Sequence, residues 1–217
     1  MTLNTQLQYK IIQRCDYKPM PWKNGLGLTL EMWRIDDDSN LRLRISQASV
    51  VENGVFSDFS GLSRTLVLLS GTGVTLEHRN SGESISNELS KVLAMACFSG
   101  GDETYATLKK GVIEDLNIMV RESDTVAKVT AGFAQTVFVL SKKTTQEKVL
   151  FTGFYANEET IVSYQEDQMH ETQTLSLPAH SLLYIEQHSL SEIELISGSG
   201  ILIEITTSDQ NDQITEN

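Results

Sequence analysis

Apolar and polar residues alternate along this chain in short runs, and almost nowhere do they recur with the spacing of a helix face. Stretches rich in Val, Ile, Leu, Thr and Phe are bounded by Gly, Ser and Asn clusters, the signature of strands and tight turns. The clearest case is Leu41-Arg42-Leu43-Arg44-Ile45-Ser46. A period of two places Arg42, Arg44 and Ser46 on one face and Leu41, Leu43 and Ile45 on the other. Further strands are predicted over residues 28–35, 65–69, 74–77, 92–98, 105–109, 113–120, 136–140, 149–154, 182–185, 193–196 and 201–205. Many short strands with close turns predict an all-β protein, a sandwich or barrel with little helix.

The chain also resembles itself. Leu68-Leu-Ser-Gly-Thr-Gly-Val-Thr-Leu-Glu77 matches Leu195-Ile-Ser-Gly-Ser-Gly-Ile-Leu-Ile-Glu204 at Leu, Ser, both Gly and the last Glu. A Ser-Gly-x-Gly turn between apolar strands supplies the positive φ angles that tight connections demand. Either turn chemistry has converged or one barrel unit occurs twice. The second reading predicts an amino-terminal barrel over residues 1–120 and a similar one over 121–206. The tail 207–217, TSDQNDQITEN, has too little apolar surface to offset its ordering entropy and is expected to be a mobile acidic extension.

Charge narrows the partners. Lys and Arg number 17 against 29 Asp and Glu, a net charge of −12, which argues against nucleic acid and anionic lipid as ligands. The imbalance is local: residues 1–110 hold 12 basic and 12 acidic residues, and residues 111–217 hold 5 and 17. A site for an anionic small molecule is therefore expected in the first half, which holds Lys23, Arg34, Arg42, Arg44 and Arg64. Cys15 and Cys97 lack CxxC spacing and read as two reduced, mostly buried thiols of a cytoplasmic protein. The start, MTLNTQLQYK, has no basic cluster before an apolar core, and no apolar run approaches the ~20 residues of a membrane span, so neither export nor membrane insertion is expected.

Motif chemistry removes further classes. A barrel metal site needs several imidazoles and a carboxylate converging at ~2.0–2.2 Å, but His78, His170, His180 and His188 stand at unhelpful spacings and read as surface or capping residues. No metal or cofactor is expected. Neither a Gly-x-Ser-x-Gly elbow nor a phosphate-binding Gly-x-x-x-x-Gly-Lys loop is present. The remaining polar groups suit a small anion. Pro21-Trp22-Lys23-Asn24-Gly25-Leu26-Gly27 combines an aromatic plate, an ammonium and an amide in a glycine-bearing loop; it reads as a binding loop or as a turn whose Trp caps a barrel end. Arg44 and Ser46 face either the lumen or the solvent. In the lumen they demand an anion, since a buried guanidinium without a partner is costly. Asp115-Leu116-Asn117 could supply a carboxylate that holds an arginine, leaving Asn117 to the ligand, or could be a plain turn.

Taken in order, Pro21-Trp22-Lys23-Asn24-Gly25, Arg44-x-Ser46-x-Ala48, Gly54-Val-Phe56-Ser57-Asp-Phe59-Ser-Gly61, Arg64-Thr-Leu-x-Leu-Leu-x-Gly71-x-Gly73 and Gly101-Asp102 with Asp115-Leu116-Asn117-x-Met119-x-Arg121 resemble the HutD/Ves family. The resemblance runs from about residue 8 to residue 205. It implies a bicupin fold, a pocket of Trp22, Lys23, Asn24, Thr29, Arg44, Ser46, Arg64, Asp115 and Asn117, and a link to histidine utilisation or to cold and stress responses. It attaches no firm enzymatic activity. The chain departs from the family pattern at Leu26, within a glycine run, at Val55 and Ser60, where prolines are usual, and at Glu122, where a base is usual.

The expected function is thus a non-catalytic regulator or sensor that binds a small carboxylate, such as N-formylglutamate or a related metabolite. Arg44 would pair with the carboxylate, while Trp22 stacks on the ligand. Two alternatives remain open: a metal-independent isomerase or lyase with Asp115 as base and Lys23 as electrophile, and a stress-related interaction protein whose acidic half docks a basic partner. Strand edges leave room for a homodimer.

Overall fold

A computed structural model describes residues 8–22, 27–80, 82–141, 147–166, 171–187 and 190–208. The chain enters through β1 (Gln8–Ile12) and a single 3-10 turn at Arg14–Asp16. The amino-terminal unit, residues 17–123, follows with β2 (Lys18–Pro21), β3 (Gly27–Asp37), β4 (Asn40–Val50), β5 (Gly54–Val55), β6 (Leu62–Ser70), β7 (Val74–Asn80), β8 (Glu83–Leu89), β9 (Met95–Ser99), β10 (Glu103–Leu108) and β11 (Ile113–Arg121). The carboxy-terminal unit contains β12 (Thr125–Phe133), β13 (Val137–Val139), β14 (Glu147–Ala156), β15 (Thr160–Glu166), β16 (Gln173–Leu177), β17 (Ser181–Gln187), β18 (Leu190–Ser197) and β19 (Ser199–Ser208). No α-helix occurs among the described residues, as the pattern of the sequence predicts.

Each unit is a sandwich of two antiparallel sheets. The amino-terminal unit pairs β2-β3-β4-β11-β6-β9 with β5-β10-β7-β8, and the carboxy-terminal unit pairs β1-β17-β14-β19-β12 with β13-β18-β15-β16. Setting β4–β11 against β12–β19 gives one wiring twice. The orders β4-β11-β6-β9 and β12-β19-β14-β17 correspond strand for strand, as do β5-β10-β7-β8 and β13-β18-β15-β16. This is a jelly roll repeated in tandem. Pro19 and Pro21, which cannot donate to a ladder, are confined to β2, an edge strand.

The two Ser-Gly-x-Gly turns are nevertheless not equivalent. The first joins β6 to β7, whose counterparts are β14 and β15; the second joins β18 to β19, the counterparts of β10 and β11. Each turn crosses from one sheet to the other and lies against the other crossing of its own unit. Thr72 donates to the carbonyl of Lys110 at 2.7 Å, and a Cβ on Gly198 would stand 2.5 Å from Thr160 Oγ1. Gly71, Gly73 and Gly198 have φ of 97°, 128° and 86°. The matching residues therefore reflect a shared turn geometry, while the duplication lies in the strand order.

Three boundaries differ from the sequence reading. β1 does not join the amino-terminal barrel but pairs antiparallel with β17, Ile11 opposite Leu183 and Ile12 opposite Leu182, so residues 8–16 belong to the carboxy-terminal unit. The first unit extends past residue 120, because Arg121 ends β11 and forks onto both carboxylate oxygens of Asp37 at 2.7 and 2.5 Å. The tail starts later than Thr207, which is buried in β19 with its hydroxyl donating to the Asp124 carbonyl at 2.8 Å; residues 209–217 lie outside the described residues. Both cysteines are free and exposed rather than buried.

The two cores differ in what they leave open. In the carboxy-terminal unit Phe138, Phe154, Tyr164, Leu177, Leu183, Leu195 and Leu202 close on one another. In the amino-terminal unit Leu66, Leu68, Val74, Leu76, Leu89 and Phe98 fill one part of the interior, and polar residues of β4, β6 and β11 occupy the rest.

Candidate functional site

Alternation along three neighbouring strands builds the site. β11 lies between β4 and β6, and its register sets Met119 opposite both Arg44 and Arg64, Asn117 opposite Ser46 and Leu66, and Asp115 opposite Ala48 and Leu68. Residues two apart share a face, so Arg44, Ser46 and Ala48 stand beside Met119, Asn117 and Asp115 on the inner side of the sandwich. β3 and β2 extend the row, with Thr29 opposite Ala48 and Met20 opposite Thr29. Together they line a cavity of about 460 Å³, closed at its rim by Trp22, Phe56 and Phe59. The face of Arg44 and Ser46 is thus the lumen. Arg42, at the end of the same face, lies outside the cavity, 3.7 Å from Asp37.

Seven of the nine residues expected at the pocket line this cavity: Trp22, Thr29, Arg44, Ser46, Arg64, Asp115 and Asn117. Lys23 and Asn24 fall outside the described residues. Trp22 Nε1 donates to Thr29 Oγ1 at 2.9 Å, which orients the indole. The ring covers Gly27 so closely that a Cβ there would stand 2.7 Å from its carbons.

Both arginines are nearly dry, Arg44 8% and Arg64 4% exposed, and each solves its burial differently. Arg44 Nε donates to Glu31 Oε2 at 2.9 Å, and its Nη2 lies 3.3 Å from Met20 Sδ. Among the described residues no carboxylate contacts Arg64. Its guanidinium carbon sits 5.1, 5.5 and 5.0 Å from the ring centres of Phe56, Phe59 and Phe98, an aromatic cage whose π-faces attract the cation. Its Nη2 donates to Asn117 Oδ1 at 2.7 Å, and Asn117 Nδ2 donates in turn to Asp115 Oδ1. Burial pulls the Arg64 pKa down to about 10 despite the attraction of Asp115.

This chain of contacts corrects the expected division of labour. Asp115 does not grip an arginine directly, and Asn117 is committed at both ends of its amide. Asp115 is 1% exposed, and burial raises its pKa from 3.8 to about 7, against the pull of Arg64 and with a further push from Glu114. Among the described residues, Arg64 Nε and Asp115 Oδ2 are buried without a hydrogen-bond partner, where buried polar groups are normally paired. A stability prediction follows from the raised pKa. Between about pH 4 and 7 the folded protein holds a proton that the unfolded chain has lost, so the contribution of Asp115 makes stability fall as pH rises through that window. Chemical denaturation at pH 5 and pH 7.5 is expected to show this loss, and Asp115→Asn is expected to reduce it.

Glu31, Met20 and the Phe56, Phe59, Phe98 cage were not foreseen as site residues. Thr29 and Glu31 share a face by alternation, and the two phenylalanines at 56 and 59 stood in the quoted loop; nothing local aims them at Arg64. His78 is likewise neither a surface nor a capping residue. It is buried, stacks on Phe98 at 4.3 Å, and has Nδ1 2.9 Å from Thr104 Oγ1 and Nε2 3.1 Å from Asn87 Oδ1. Burial holds its pKa below the ordinary histidine value. It backs the aromatic cage. His180 Nδ1 lies 3.0 Å from the hydroxyl of Tyr155; His170 and His188 fall outside the described residues. Among the described residues no three or more His, Cys, Asp or Glu gather into a metal-binding group, and a wall carrying two guanidiniums and no imidazole does not fit one.

Two tandem jelly rolls, one enclosing a polar hollow, define a bicupin. HutD from Pseudomonas fluorescens SBW25 (formate condition) superposes with a TM-score of 0.71 at 23% identity, over 92% of this chain and 99% of that one. A conserved protein of unknown function from Pseudomonas aeruginosa PAO1 gives 0.72 at 25% identity, over 93% and 100%. The oxalate decarboxylase of Bacillus subtilis, at 0.60 and 8% identity over 92% and 77%, shares the fold alone. The family model described as HutD matches residues 14–211, and the chain belongs to the HutD family. In sequence it is 35% identical over 114 residues to a 21.2 kDa protein in the hutC 3' region of Pseudomonas putida, covering 52% of this chain and 58% of that protein. Protein Ves of Escherichia fergusonii is 36% identical over 119 residues, 52% and 60% of the two chains. The match thus spans little more than half the length of these two relatives.

Proposed function

We propose that the amino-terminal jelly roll is a non-catalytic receptor for a small carboxylate and that the protein acts as a sensor or regulator through it. The observation that carries this reading is the pair of buried guanidiniums in one cavity, Arg44 held by Glu31 and Arg64 with its Nε unpartnered among the described residues. A carboxylate satisfies such a donor with a charge-assisted hydrogen bond worth about 1.5–3 kcal/mol. The volume suits a metabolite, and Trp22 offers a flat apolar wall to its planar part. The Pseudomonas relatives, one from a hutC 3' region and one named HutD, agree with the HutD/Ves resemblance, which implies a candidate class of acids of histidine utilisation such as N-formylglutamate. Calorimetric titration with N-formylglutamate and urocanate is expected to give submillimolar binding to at least one, weakened at least about tenfold by Arg44→Ala. Binding no tighter than millimolar for both acids, unchanged in the variant, would sink the reading.

One observation favours a second reading. A carboxyl with a pKa of about 7 in a cavity wall is poised for general base chemistry. Turnover of either acid in the presence of chelator, lost in Asp115→Asn while the fold is kept, would move the protein to a metal-independent isomerase or lyase.

A further inference from the structure

The coupling that follows rests on the reading of the cavity as an anion receptor. We propose that entry of an anionic ligand is coupled to uptake of one proton by Asp115, the ligand replacing that carboxylate as the counter-charge of Arg64.

The described lining of the cavity carries two cations, Arg44 and Arg64, and one carboxylate, Asp115, with Glu31 behind Arg44. Glu31 touches Arg44 directly. Asp115 reaches Arg64 only through the Asn117 amide, which accepts from Arg64 and donates to Asp115. With Asp115 ionised the charges of Arg44, Arg64, Glu31 and Asp115 sum to zero, and an incoming anion meets an Arg64 charge already offset. With Asp115 protonated these four groups are one charge more positive, and Arg64 Nε, buried and unpartnered among the described residues, has a charge to give. An anion therefore binds the protonated form more tightly. Linkage then requires that its binding pull a proton onto Asp115.

The position of Asp115 makes this exchange feasible. Its Oδ2 is buried with no donor of its own among the described residues, so only the Asn117 amide at Oδ1 supports the ionised form there. A neutral carboxyl is much cheaper to bury than a charge. Of the charged groups on neighbouring strands, Arg44 of β4 is occupied by Glu31 of β3, Arg64 of β6 is the cation shared with the ligand, and Glu114, beside Asp115 on the opposite face of β11, opposes its ionisation. His78 of β7, behind Phe98, is held below its ordinary range by burial. The free carboxyl changes charge near pH 7, whereas the carboxylates of N-formylglutamate stay ionised above about pH 5. A dependence between pH 6 and 8 thus belongs to the protein.

N-formylglutamate is titrated into the full chain at pH 6, 7 and 8, and at pH 8 in two buffers of different ionisation enthalpy. The expected result is an affinity about tenfold weaker at pH 8 than at pH 6, with close to one proton taken up per ligand at pH 8. Asp115→Asn, which keeps the shape and cannot titrate, is expected to bind with no proton uptake and a flat profile. Binding without proton uptake by the unaltered protein overturns the coupling and leaves the receptor reading intact, as does an unchanged pH slope in a folded Asp115→Asn. Absence of binding at every pH removes both. Should the variant fail to fold, the proton count on the unaltered protein decides alone.

Discussion

Arg64→Ala is expected to abolish carboxylate binding, weakening it by at least about a hundredfold, and to lower stability by about 2–4 kcal/mol at neutral pH. The binding loss has two sources. The guanidinium supplies an Nε donor unpartnered among the described residues, and without it the ligand would meet buried Asp115 with Arg64 no longer offsetting its charge. The stability loss comes from three aromatic rings left without the cation they surround, a vacated volume, and an Asn117 carbonyl without its donor. The stranded Asp115 limits the damage, because without Arg64 offsetting its charge it stays protonated instead of remaining a buried charge. Arg64→Lys separates these effects, restoring charge without the flat face or the Nε–H. Titration and urea unfolding of both variants check this, and Arg64→Ala binding within tenfold of the unaltered protein would remove Arg64 from the receptor.

The second large effect lies in the filled unit. Phe154 is fully buried, meets the edge of Phe138 at 5.8 Å, and occupies space that a Cβ on Gly200 would enter at 2.4 Å. Phe154→Ala is expected to cost about 3–5 kcal/mol, the transfer of a phenyl ring to water plus the cavity it leaves. Because Tyr155, Leu183 and Leu202 are fixed in the strands around it, collapse into the gap is restricted. Urea denaturation monitors the loss, and ligand affinity measured well below the unfolding transition should stay within about twofold. A cost below about 1 kcal/mol would show that this interior repacks freely.

What the sequence discloses about the site follows from which features are local. The alternation through Arg44 and Ser46 is local, and so is the parity of Asp115 and Asn117; both place their side chains on one face before any partner strand is known. The pairing of Arg44 with Glu31 is not, because it depends on the register of β3 against β4, which shifts between Glu31 and Trp33. The cage around Arg64 is less visible still. Phe56 and Phe59 precede β6 in irregular backbone fixed by hydrogen bonds from Phe56 N to the Thr104 carbonyl and from Phe59 N to the Gly100 carbonyl, each at 2.8 Å. Strands divide the same way. The apolar runs of β6, β11 and β19 announce themselves, whereas β8, ESISNEL, and β16, QTLSL, are sheet edges with one dry side at most and fall outside the predicted strands.

The attachment of β1 to β17 orders events during synthesis. Gln8–Ile12 leaves the ribosome about 170 residues ahead of its ladder partner, Leu182–Gln187. At about 5–20 residues per second, that is a wait on the order of ten seconds or more. Through it β1 has no ladder partner, while all of residues 17–123 are synthesised before β17 emerges.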